Sequence, residues 1–211
     1  MTKIYPSFAT AAAEKLRSSG SELGDSAVVL TVWTKSLLFN CNGFTVYDAK
    51  GNLVFRVDNY IAGNKGEIVL MDASGKPLLT IRRKRLSLGD NWMVFPGETA
   101  VNPLFSVKKH VNLLNTRYLA HVSSGSSGGS PRSGKNSSML YEIEGSYSQR
   151  SCAVYDQKRR RVAEIRRKEA PAGAELGGDV FRLLVEPQFD TAVAMALVIV
   201  LDQMFGSSSR R

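Results

Sequence analysis

Ile-Arg-Arg-Lys occurs twice in this chain, at Ile81–Lys84 and at Ile165–Lys168. Arg85 extends the first copy, and Arg159, Arg160 and Arg161 stand shortly before the second. Clustered cations attract phosphate-bearing partners, and each basic residue close to an anionic membrane contributes on the order of 1 kcal/mol. Arg82, Arg83, Lys84, Arg85, Arg166, Arg167 and Lys168 are therefore the candidate anion- or phospholipid-binding residues. The competing account is exposure. Strand ends carry Arg and Lys because they are solvated and because charge blocks edge-to-edge pairing.

Other chemistry finds little support. The two histidines, His110 and His121, stand at no metal-ligand spacing with each other or with a cysteine. Cys152 lacks the flanking motif of a nucleophile, and a strand cysteine is more often packed. Gly63-Asn-Lys-Gly66 is too short for a phosphate loop and is expected to be a turn. Glu142 and Glu144, two apart on a predicted strand, share one face, and a solvated face is expected. No catalytic residue, metal or cofactor is assigned, and a non-enzymatic protein is expected.

The elements that position the basic copies come from an internal repeat. Phe44–Val57 is strand, Asp-x-x-Gly turn, strand, with Asp48 and Gly51 at the turn. The unit returns at Ile68–Ile81 with Asp72 and Gly75, and at Cys152–Ile165 with Asp156. Asp can accept hydrogen bonds from turn amides, and glycine takes φ > 0 at little cost. Arg159 replaces the glycine in the third copy, which predicts a turn built differently. Further strands are predicted at Ala27–Thr34, Leu37–Asn40, Trp92–Phe95, Leu104–Lys109, Tyr118–Val122, Met139–Glu144 and Val180–Val185. The expected fold is a closed antiparallel barrel of roughly twelve strands in two similar halves.

Phe189–Phe205 supplies the filling. Its uninterrupted apolar stretch, Ala192–Leu201, is too short to span a bilayer, and it has no polar stripe. Asp190 is placed to cap a helix and Gly206 to stop it. A buried C-terminal α-helix inside the barrel is predicted, with no transmembrane span. Residues 1–25 are expected to form a mobile arm, 26–206 a single domain with a disordered Ser/Gly-rich loop at 123–138, and 207–211 a tail.

The chain has 211 residues and a net charge of +9, with 43% hydrophobic residues. This suits one globular domain with anionic partners. Two cysteines make no disulfide framework, and Met1–Gly20 lacks the apolar core of a signal peptide. An intracellular site is expected: cytoplasm, membrane periphery or nucleus.

Phe44–Val57 with Asp48 and Gly51, Ile68–Lys84, Val162–Lys168, Gly178–Phe181 and Asp190–Asp202 together resemble the LURP-one-related family of plant proteins. The similarity covers about residues 27–205. It implies a tubby-like fold, a twelve-stranded barrel around a hydrophobic C-terminal helix, and kinship with tubby domains and phospholipid scramblases. It implies no enzymatic activity, and one member of the family is linked to defence against pathogens. The expected function is a monomeric, non-enzymatic binding module that docks to anionic phospholipid, phosphoinositide included, or to a protein partner in plant defence signalling. The alternative is a nucleic-acid-associated transcriptional regulator. It is less favoured because no recognition helix or aromatic platform accompanies the charge.

Overall fold

The computed structural model describes residues 26–38, 41–60, 66–84, 89–99, 101–111, 117–125, 138–168 and 178–206. The N-terminal arm, Arg85, the bulk of the Ser/Gly-rich loop and the C-terminal tail lie outside the described residues. Twelve strands follow in order: β1 (Val28–Trp33), β2 (Cys41–Tyr47), β3 (Leu53–Tyr60), β4 (Glu67–Asp72), β5 (Pro77–Arg83), β6 (Asn91–Pro96), β7 (Phe105–Lys109), β8 (Tyr118–Ser124), β9 (Met139–Ser146), β10 (Ser151–Asp156), β11 (Arg161–Arg167) and β12 (Val180–Val185). Helix α1 (Thr191–Phe205) ends the fold. Each strand pairs antiparallel with its sequence neighbours, and β12 pairs with β1, so the sheet closes as an up-and-down barrel without edges.

Alternation explains the closure. Leu30 and Val32, Phe44 and Val46, Leu79 and Ile81, and Phe181, Leu183 and Val185 are buried, and the residues between them are more exposed except Thr45 and Thr80. Their common filling is α1. All eight residues from Ala194 to Leu201 are no more than 2% exposed. Eight consecutive residues turn through more than two full helical turns, so apolar wall surrounds the helix on every side. Asp190 Oδ1 accepts from the Val193 amide at 2.9 Å, which fixes the helix start one residue after the cap.

The repeat is three copies of one turn. Asp48 Oδ1 accepts from the amides of Lys50 and Asn52, Asp72 Oδ1 from those of Ser74 and Lys76, and Asp156 Oδ1 from those of Lys158 and Arg160, all at 2.8–2.9 Å. The third turn is not built differently, contrary to the expectation from its missing glycine. Arg159 takes φ +61°, beside +84° at Gly51 and +89° at Gly75, and its amide donates to the Asp156 carbonyl just as the glycine amides do to theirs. A non-glycine residue there is strained. The compensation lies in its side chain, described below.

Two boundaries also move. Strand β8 runs to Ser124, two residues into the segment expected to be disordered. Leu37 and Leu38 form no strand; they sit in a bend between β1 and β2. The buried Ser36 causes this: its hydroxyl donates to Asp58 Oδ1 at 2.5 Å and accepts from the Leu38 amide at 3.1 Å. That hydroxyl turns the chain before a ladder can form.

Gly145 shows how tightly the wall is drawn. It holds φ +110°, and a Cβ there would lie 2.2 Å from the Ser151 carbonyl oxygen on β10. Gly145→Ala is expected to cost about 1–3 kcal/mol or more, from overpacking and backbone strain together. A urea titration checks this, and an unchanged midpoint would contradict the close approach.

Candidate anion-docking rim

All odd-numbered strands run one way around an up-and-down barrel, so β5 and β11 finish at the same end. Their C-termini carry the two Ile-Arg-Arg-Lys copies. The three Asp turns stand at the opposite end. Helix α1 starts there, after β12, and exits where the basic copies are: the Lys109 ammonium on β7 donates to the Met204 carbonyl at 3.2 Å and lies 4.6 Å over the Phe205 ring. A cation at that point also opposes the negative end of the helix dipole.

The two copies share a rim but do not meet. Five strands lie between β5 and β11 in either direction round a ring of twelve, which places them on opposite walls. Several of the predicted cations are already paired. Arg82 binds Glu67 at 2.7 Å, Arg83 binds Asp90, and Arg166 grips Glu164 through Nε at 2.7 Å and Nη2 at 2.8 Å. Arg167 Nε donates to the Gln149 carbonyl at 2.9 Å. Lys84 and Lys168 enter no salt bridge among the described residues.

The wider rim carries a charge asymmetry that the two copies alone do not reveal. Twelve described cations lie in its loops or within two residues of its strand ends: Lys35, Arg82, Arg83, Lys84, Lys108, Lys109, Arg117, Arg150, Arg166, Arg167, Lys168 and Arg182. Six acids face them there: Asp58, Glu67, Asp90, Glu144, Asp179 and Asp202. The Asp-turn end carries six described cations and six acids, so the net positive charge of the described barrel is gathered at the helix-exit end. Sequence reasoning missed this because the contributing cations stand at five different loops, and only the topology collects them.

The mouth of this end is plugged. Arg150 stacks 4.4 Å from the Tyr147 ring and 4.3 Å from the Phe181 ring, and donates to the Gly178 carbonyl. Tyr147, 2% exposed, donates from its hydroxyl to Asp202 Oδ1 on the last turn of α1 at 3.1 Å. Burial drives its phenol far above the ordinary range, so it stays a donor. Cys152 points inward, and burial pushes its thiol up to about 12. A neutral, enclosed thiol is a packing group and a poor nucleophile.

On the outer wall the structure corrects two expectations. Glu144 is 4% exposed, so the Glu142/Glu144 face is not simply solvated. Arg159 reaches Glu144 at 2.6 Å and Glu142 at 2.8 Å across its own Tyr155 ring, and Arg117 reaches Glu144 at 2.8 Å. Burial alone would raise the Glu144 carboxyl; hydrogen bonds from Arg159 and Arg117 outweigh it and hold it below the usual range. These bonds offset the backbone strain at Arg159. The histidines also meet: His110 Nδ1 lies 2.8 Å from His121 Nε2, because the β7–β8 hairpin folds them together. Burial, then the neighbouring His110, lowers the His121 pKa against the pull of Glu142, favouring a neutral His121. No group of three or more metal-ligating side chains forms among the described residues. No described helix is long and apolar enough to cross a membrane.

Known proteins match this arrangement along nearly the whole barrel. A Protein LURP-one-related 8 from Arabidopsis thaliana is 53% identical over 99% of this chain and 100% of its own length. LURP-one-related 17 from the same plant is 43% identical, covering 89% of this chain and 87% of the relative. An X-ray structure of another Arabidopsis thaliana protein superposes with a TM-score of 0.62 at 27% identity, covering 85% of this chain and 91% of that one. The LURP-one-related family model spans residues 28–202, from the first strand of the barrel to the last turn of its central helix, and the chain belongs to that family.

Proposed function

We propose that this chain is a non-enzymatic docking module that sets the helix-exit end of its barrel on anionic phospholipid. One observation carries the reading: twelve cations against six acids at that end, beside six against six at the other. A dipolar charge distribution orients a protein towards a negative surface before contact and holds it there reversibly. Plant defence signalling is the setting we propose for it, on the family resemblance alone. The paired arginines shift the weight within the predicted set. Arg82, Arg83 and Arg166 spend part of their charge on neighbouring acids, so Lys84, Lys168 and nearby Lys35, Lys108 and Arg182 carry more of the excess.

Flotation on phosphatidylcholine vesicles containing phosphatidylserine or a phosphoinositide tests this. Binding is expected at low salt and should weaken as salt rises. Neutralising Lys84, Arg167 and Lys168 together should reduce it several-fold. No binding at low salt, or binding indifferent to these changes, would sink the reading. A gel-shift series on the same protein addresses nucleic acid. Tighter retention on DNA than on vesicles at equal salt would favour the regulator instead.

A further inference from the structure

The end of β1 and the bend after it expose three large apolar side chains: Trp33 at 39%, Leu37 at 47% and Leu38 at 39%. All three lie at the helix-exit end, where the basic excess is. The segment is held in shape while it exposes them. The Thr34 amide donates to the Asp179 carbonyl at 2.8 Å, and the Thr34 hydroxyl donates to the Asp179 side chain. Ser36 is buried and pins the Leu38 amide from one side and Asp58 from the other, with Arg56 bracing Asp58 at 2.6 Å. Neither leucine belongs to the buried core.

The surroundings indicate what covers them. Lys35 lies 5.2 Å over the Trp33 ring. Arg182 stands on β12, which pairs with β1, and Arg166 stands beside it in register on β11, one strand further on. An apolar tip with an indole at its edge and cations around it matches the chemistry of a bilayer interface. Leucines enter the acyl boundary, the indole lies at the headgroup level, and the cations meet phosphate.

We infer that Trp33–Leu38 is a wedge that inserts its two leucines and indole into an anionic bilayer when the rim docks. This rests on the phospholipid reading above and adds a specific depth and a specific loop. Insertion explains why the loop is braced. A preorganised wedge loses little conformational entropy on entering lipid. The basic rim selects the negative surface, and the leucines then supply binding that salt does not screen.

The test uses the full chain with vesicles of phosphatidylcholine, with and without phosphatidylserine, at low and physiological salt. Trp33 emission should shift to the blue and be quenched by acyl-chain bromines only with the anionic vesicles, and Trp33→Phe should abolish the change, leaving the buried Trp92. Leu37→Ser with Leu38→Ser should lower partitioning about tenfold or more at physiological salt and leave a salt-sensitive remainder at low salt. If the wild type binds and neither signal appears, the wedge is overturned and the electrostatic reading stands. If the wild type fails to bind anionic vesicles at all, both fall. A wild-type dimer that the serine substitutions make monomeric by sedimentation would assign the loop to a second copy and overturn the wedge. Should the serine variant lose its thermal transition, wild-type quenching decides alone.

Discussion

Val198→Lys should abolish folding. Val198 is 1% exposed and lies in the middle of eight residues enclosed on all sides by the strands of a closed barrel. A lysine there cannot reach water, and the acid one helical turn along, Asp202, is already engaged by the Tyr147 hydroxyl, so pairing with it would break that buried contact. Ionised, it would cost far more than a domain's whole stability; neutralised, it would still bury an amine without a partner. Snorkelling does not rescue it, since α1 runs through the barrel and its middle is far from either mouth. The expected result is a chain without a cooperative thermal transition, recovered from inclusion bodies. Ile199→Ala, in the same stretch, should fold and lose about 2–5 kcal/mol. A soluble, cooperative Val198→Lys protein would show that the helix can leave the barrel, and the fold described here would be wrong at its centre.

That helix was legible in the sequence because its signal is local. Asp190, an all-round apolar stretch and Gly206 lie within seventeen residues, and the length argument removed the membrane alternative. The Asp turns were legible for the same reason, and their spacing gave the two-halved barrel. The failures have a common cause: they depend on residues distant in sequence. Leu37 and Leu38 have strand composition, and the hydroxyl of Ser36 with its partner Asp58 overrides it. Arg159 breaks the glycine rule of its turn, and carboxylates on β9 make the break tolerable. His110 and His121 are eleven apart, which looks like separation until a hairpin closes between them. The candidate site was half legible. Both basic copies were found and both lie on one rim, but their opposition across the barrel and their acid partners belong to the register. Local pattern writes the wall and the filling; register decides which surface charges are free to act.

The outer-wall network gives the sharpest test of that register. Arg117→Ala combined with Arg159→Ala should lower the urea midpoint at neutral pH more than either substitution alone, because Glu144 then keeps neither cation. The loss comes from Glu144, left ionised at 4% exposure without either cation. Glu144→Gln should cost less, since it removes the buried charge and leaves the arginines near water. The pH dependence separates this from lost packing. In the wild type the Glu144 carboxyl is held below its ordinary value, so its contribution is present above the unfolded pKa and fades as pH falls through the folded one. Without the arginines only burial remains, and the folded pKa moves above the unfolded value. The double variant should then gain stability as pH falls from that raised pKa to the unfolded value, and the wild type should lose it below the unfolded value. Urea midpoints of the two proteins should therefore converge on acidification. A gap that stays constant from neutral pH to below the carboxylate range would mean that Glu144 does not carry the effect, and that the arginines act through their stacking on neighbouring side chains alone.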